Sequence, residues 1–115
     1  MDAVSKNKAL KHYQWGENCD GWNLVDETSL SVKLEKMPPH TSEQKHFHQY
    51  SQQFFYIIKG EAVFEIQRER IIVKMEEGIH IKAGIEHRII NESNEDLEFL
   101  LSSQPSTAND RINVE

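Results

Sequence analysis

The 115-residue sequence predicts an all-β fold, a sandwich or barrel. Short apolar runs recur at Phe54–Ile58, Ala62–Ile66, Arg70–Met75, Ile79–Ile81 and Leu97–Leu101. Turn signals fall between them at Lys59–Gly60, Glu76–Gly78, Ala83–Gly84 and Asn91–Asn94. No long stretch keeps a helical period, and no sequence repeat or low-complexity tract interrupts the pattern.

Taken in order, Met1–Lys11 is polar and reads as a peripheral arm. Tyr13–Trp22 carries Trp15, Trp22, Cys19 and two glycines, which suits an ordered loop or short strands anchored by aromatics. We divide the chain accordingly into an arm and aromatic segment, residues 1–22, and a barrel, residues 23–115. Leu24–Met37 reads as a strand in which Leu30, Val32 and Leu34 face inward and Ser31, Lys33 and Glu35 outward. Pro38-Pro39 ends it, because neither proline donates to a sheet ladder. Phe54–Ile58 is apolar at every position, so both faces of that strand are expected to be buried. Arg68-Glu69 turns a hairpin without the Asn-Gly pair that a tight primed turn prefers. In the polar tail after Pro105, Ile112 and Val114 can form a short last strand.

Composition narrows the function classes. Thirteen basic against nineteen acidic residues give a net charge of −6, with no basic cluster for a phosphate backbone, so nucleic acid is not an expected partner. The longest apolar run is far below the roughly 20 residues of a membrane helix. The single Cys19 permits no internal disulfide, and the N-terminal residues show no signal-peptide core, so the expectation is a cytoplasmic protein. No nucleophile elbow, triad or phosphate loop is present.

Histidine is the unusual entry, six in all, with His46 and His48 at alternate positions. On a strand both imidazoles project from one face while Phe47 projects from the other. Two ring nitrogens so placed can share a metal ion, although a His-x-His pair alone more often makes ordinary hydrogen bonds. Gln53 follows His48 after four residues and Gly60 follows Gln53 after six; Gly84, His87 and Asn91 then fall at intervals of two and three intervening residues.

This spacing resembles the two motifs of the cupin superfamily, G-x5-H-x-H-x3,4-E-x6-G and G-x5-P-x-G-x2-H-x3-N, which together span residues 40–91. The likeness is to small single-domain bacterial cupins and implies a double-stranded β-helix, or jelly-roll barrel. It also implies a metal-ligand set of His46, His48, Gln53 and His87. His40 and Glu76 stand where the motifs have glycine, Lys82 where they have proline, and Gln53 where they have the usual metal-binding glutamate. With glutamine the set is uncharged, so a bound dication keeps its full charge and is a stronger Lewis acid. Zinc, iron, manganese, nickel and copper all suit imidazole and oxygen donors. Gln52 replaces Gln53 under the shorter motif spacing, whereas the gap to Gly60 favours Gln53.

If Gln53 faces the metal, Phe55 and Ile57 share its side, Leu97, Phe99 and Leu101 face inward from the later strand, and Phe55, Ile57 and Phe99 are expected to line the pocket. Plain barrel core is the alternative for these residues. His80 reads as a partly buried, hydrogen-bonded histidine. The expected function is metal-dependent chemistry on a small molecule, of dioxygenase, isomerase, epimerase or cyclase type. The alternative is a non-catalytic module that binds a sugar or an aromatic acid, with the metal structural or absent. The resemblance further implies a homodimer.

Overall fold

The computed structural model describes residues 1–114 and consists of two antiparallel sheets. The strands are β1 Lys11–Trp15, β2 Cys19–Glu27, β3 Leu30–Met37, β4 Thr41–Ser42, β5 His46–Phe47, β6 Gln52–Lys59, β7 Ala62–Ile66, β8 Glu69–Val73, β9 Gly78–Ile81, β10 His87–Asn91, β11 Leu97–Gln104 and β12 Ile112–Asn113. One sheet runs β1-β2-β3-β11-β6-β9 and the other β12-β5-β10-β7-β8, with β4 also paired to β10. Among the described residues the one helical element is a 3-10 turn at Lys6–Lys8. Strands distant in sequence are neighbours in both sheets, as in a jelly roll.

The core lies between the sheets. Met37, Ile57, Phe64, Ile89, Leu97 and Phe99 are buried there, with Phe55 set edge-on to Phe64 at a centroid distance of 5.0 Å. Leu97, Phe99 and Leu101 face inward as the alternation of β11 predicts. Cys19 is fully buried, and the tail supplies β12, which pairs with β5.

Three expectations are corrected. Leu24–Met37 is not one strand: a turn at Thr28–Ser29 folds β2 back on β3. The inward phase of β3 is also the opposite of the one that its leucines suggest. In register with inward Leu97, Phe99 and Leu101 stand Met37, Glu35 and Lys33, and register partners share a face. Ser31, Lys33, Glu35 and Met37 therefore point inward, and Leu30, Val32 and Leu34 lie outside. Finally, β6 is not buried on both faces. Gln53, Phe55 and Ile57 are buried, while Phe54, Tyr56 and Ile58 are exposed, as in an antiparallel sheet with one face on the core.

Candidate functional site

The short strand β5 pairs with β10 so that His46 lies opposite His87 in the ladder. His48 follows β5 by one residue and is held by two main-chain contacts: its carbonyl accepts from Gly84 N–H at 2.7 Å, and its Nδ1 donates to the Asp110 carbonyl at 2.5 Å. Asp110 fastens the same loop a second time, because its carboxylate accepts the N–H groups of Gln49, Tyr50 and Ser51 at 2.8, 3.1 and 2.9 Å. All three histidines are buried, and their candidate donor atoms lie within 4.8 Å of one another.

Main-chain carbonyls set the tautomer of each ring. His46 Nδ1 donates to Gln44 O and His87 Nδ1 to Ile85 O, each at 2.8 Å, as His48 Nδ1 does to Asp110 O. A carbonyl only accepts, so the proton sits on Nδ1 and each Nε2 carries a free lone pair. The Nε2 atoms of His48 and His87 are buried without a hydrogen-bond partner, and so is Gln53 Oε1. Two orphaned acceptors in the histidine cluster, and a third on Gln53 beside the same cavity, are costly unless something electron-poor meets them. Burial holds the imidazoles neutral: His46 is lowered to about 3, His87 to about 4, and His48 is lowered as well. Neutral imidazole is the metal-binding form, so this donor set fits a divalent transition metal without first losing protons.

Gln53 is buried on the inner face of β6, where its Nε2 donates to Ser103 Oγ at 3.1 Å. Gln52 points the other way, exposed and bonded to Gln104 and His80. His80 is itself exposed, and its ring nitrogen meets Gln52 Oε1 at 2.8 Å. Phe55 lines the cavity described next, and Ile57 and Phe99 are fully buried in the core cluster. Asn91 is also fully buried, and its amide nitrogen lies 3.0, 3.1 and 2.8 Å from the carbonyls of Met37, Pro38 and Glu95, so it anchors the chain around β10 and β11.

A cavity of about 260 Å³ opens beside His46, His48 and Gln53. Its wall includes Tyr13, Trp15, Lys33, Glu35, Glu43 and Arg111, which sequence reasoning did not place there. The Tyr13 hydroxyl donates to Glu35 Oε2 at 2.5 Å. Tyr13, Gly21 and Glu35 lie in one row across β1, β2 and β3, and the phenol ring crosses the position of the missing Gly21 Cβ. A Cβ on Gly21 would stand 2.1 Å from Tyr13 Cζ, so glycine is what lets the ring reach Glu35. Burial pushes the Glu35 carboxyl upward, and Glu43 is raised to about 8 for the same reason. Glu43 accepts from Ile89 N–H at 3.2 Å and faces Arg111 at 3.8 Å. Alternation in Ser31-Lys33-Glu35 carried the signal for two of these wall residues, but only the pairing of β3 with β11 says which phase is inside.

Known proteins bear out this architecture. The family model for a cupin domain matches residues 33–103, more than half of the chain. An oxalate-binding protein of Thermotoga maritima is 35% identical over 65 residues, covering 56% of this chain and 54% of that protein. The polyketide synthase protein CurC of Streptomyces cyaneus is 26% identical over 81 residues, covering 70% and 53%. The chain thus spans about half the length of the curated relatives it matches. Among solved structures, a predicted oxalate decarboxylase of Thermotoga maritima superposes with a TM-score of 0.80 at 23% identity, covering 91% of this chain and all of that one. The polyketide cyclase RemF of Streptomyces resistomycificus gives 0.81 at 19%, covering 100% and 86%. With the family model matched over most of both sheets and the barrel shared with these structures, the chain belongs to the cupin superfamily.

Proposed function

We propose that the protein holds a divalent transition-metal ion on His46, His48, His87 and Gln53, and that the adjoining cavity binds a small molecule on which the site acts. The observation that supports this reading most is the set of neutral acceptors with nowhere else to bond: His48 Nε2, His87 Nε2 and Gln53 Oε1 are buried and unpartnered, and each Nδ1 is committed to a carbonyl. The ion would supply Lewis-acid polarisation of a bound oxygen group. Because every donor is uncharged, the set favours the divalent state over a more oxidised one, and among zinc, iron, manganese, nickel and copper it suits those that need no redox change. The chain's own residues would position the ligand, with Phe55 and Trp15 as apolar wall and the Tyr13–Glu35 pair able to hold or move a proton.

Elemental analysis of the purified protein tests this. We expect about one equivalent of a divalent transition metal, lost in the His46→Ala/His87→Ala double variant with the β fold retained by circular dichroism. A wild-type protein that takes up none from a zinc- or nickel-supplemented buffer ends the reading.

A second reading, a non-catalytic binding module, draws support from Gln53, which cannot serve as a carboxylate base, and from the relative named as an oxalate-binding protein. A metal-loaded crystal structure separates the two, since an open coordination position filled by water favours chemistry and a closed one favours binding or structure. We also propose a homodimer formed through the outer face of the β3-β11-β6 sheet. There Leu30, Phe54, Tyr56 and Ile58 are 40%, 43%, 37% and 44% exposed, an apolar surface that a monomer gains nothing by showing to water.

A further inference from the structure

Lys33 projects from the inner face of β3, and an inward lysine is costly unless its charge is answered. Among the described residues no carboxylate lies within 4.0 Å of its ammonium; the Tyr13 ring stands 5.6 Å from Nζ to centroid, and the Glu35 carboxyl feels the charge only at longer range. Arg111 and Arg88, by contrast, have carboxylate partners. Arg111, which shares the cavity, faces Glu43 at 3.8 Å and donates to Asn113 Oδ1 at 3.0 Å. Arg88 is bound to Glu65 at 2.6 Å. Glu35 sits two residues from Lys33 on the same strand face, but its carboxyl is turned to the Tyr13 hydroxyl.

The remaining wall is mixed. Trp15, Phe55 and Leu101 are apolar, and Leu101 is the register partner of Lys33 on β11. A volume of about 260 Å³ is just under the roughly 300 Å³ at which drug-sized pockets begin. Glu35 and Glu43 line the same space, but burial favours their uncharged forms, so they leave room for an anion; the apolar wall of Trp15, Phe55 and Leu101 suits a short organic body rather than inorganic phosphate.

From this arrangement we infer that the cavity takes a small organic acid with a single carboxylate, whose charge is answered by Lys33 and whose short apolar body lies against Trp15, Phe55 and Leu101. The inference rests on the reading that the cavity beside the histidines is the ligand site, and it names the class of ligand. It does not depend on which metal the histidines hold. It also gives Lys33 a reason to face inward: the ammonium is one half of an ion pair completed by the ligand, as expected where charge-assisted bonds set specificity.

Benzoate and its neutral isostere benzamide test this by titration calorimetry, on metal-free and zinc-loaded protein. We expect benzoate to bind at least tenfold more tightly than benzamide. Lys33→Met should lose that advantage, weakening benzoate about tenfold or more while leaving benzamide unchanged, and Lys33→Arg should retain it. Zinc titrations of the same variants separate the two readings. If zinc fails to bind but benzoate still depends on Lys33, the organic-acid site stands and the metal reading falls. If zinc binds and benzoate does not, or binds no better than benzamide, or is indifferent to Lys33→Met, the organic-acid site is wrong. Tighter binding of inorganic phosphate than of benzoate also overturns it.

Discussion

Single side chains decide the chemistry of this site, and proton placement is where they act. His46, His48 and His87 spend their Nδ1–H groups on carbonyls and keep Nε2 lone pairs inside, so the metal-free protein carries three imidazoles that resist protonation. The consequence for stability has a definite sign. Unfolded histidines titrate near 6.5, whereas folded His46 and His87 titrate at about 3 and about 4, so the unfolded chain binds more protons across that interval. The stability that neutral histidines contribute is therefore full above about 6.5 and is lost as pH falls toward about 4. Glu43 has the opposite sign: its folded value is raised from 4.5 to about 8, so its contribution is full below 4.5 and is lost as pH rises to about 8. We expect the metal-free protein to be most stable near pH 6.5. Thermal melts across pH 4–8 check this, and Glu43→Gln should flatten the decline above pH 6.5 and steepen the rise between about 4.5 and 6.5.

At the scale of elements, two motif positions lack their glycine, and the backbone shows what the glycine was for. His40 and Glu76 adopt φ of 59° and 67°, left-handed conformations that side chains with a Cβ disfavour by about 1–2 kcal/mol. His40 has a compensating bond to Asn94 at 2.9 Å, whereas the exposed Glu76 side chain has none recorded among the described residues. Glu76→Gly should therefore stabilise the fold by about 0.5–1 kcal/mol after the added unfolded-state freedom of glycine is subtracted, read as a higher urea midpoint at unchanged slope. The strands themselves were largely legible. Short apolar runs bounded by turn residues marked β6, β7, β8, β9 and β11, because local patterning is enough to specify an extended segment. The β2-β3 turn was missed because Thr28-Ser29 lacks the glycine, asparagine or proline that usually marks such a reversal.

The whole molecule brings both ends of the chain to the mouth of the cavity. Tyr13 and Trp15 arrive on β1, and Thr107 and Arg111 arrive after β11, all outside residues 33–103 that match the family model. The shared barrel holds the histidines, and the flanking segments of this chain shape what can reach them. The outer sheet face is the other feature at this scale. In register across it stand Leu34, Leu100 and Tyr56, beside Val32, Ser102 and Phe54. If two copies meet there, light scattering will give twice 13.4 kDa, and Phe54→Glu with Tyr56→Glu will give the monomer while leaving zinc uptake intact. A wild-type mass of one chain refutes the dimer.

The sequence by itself determined the all-β class and the inward phase of β11, because each rests on periodicity along the chain, and its resemblance to the cupin motifs implied the grouping of His46, His48 and His87. The partner strands decided the rest. Whether Lys33 and Glu35 face water or the cavity depends on the register of β3 against β11, and a one-residue change of phase exchanges the two faces of a strand. Leucines at Leu30 and Leu34 argued for the wrong phase because the outer face of this sheet is itself apolar. No local pattern could bring Tyr13, Arg111 and Asp110 around the cavity of the histidines, since their contacts to Glu35, Glu43 and His48 join residues distant in sequence and exist only once the strands have paired.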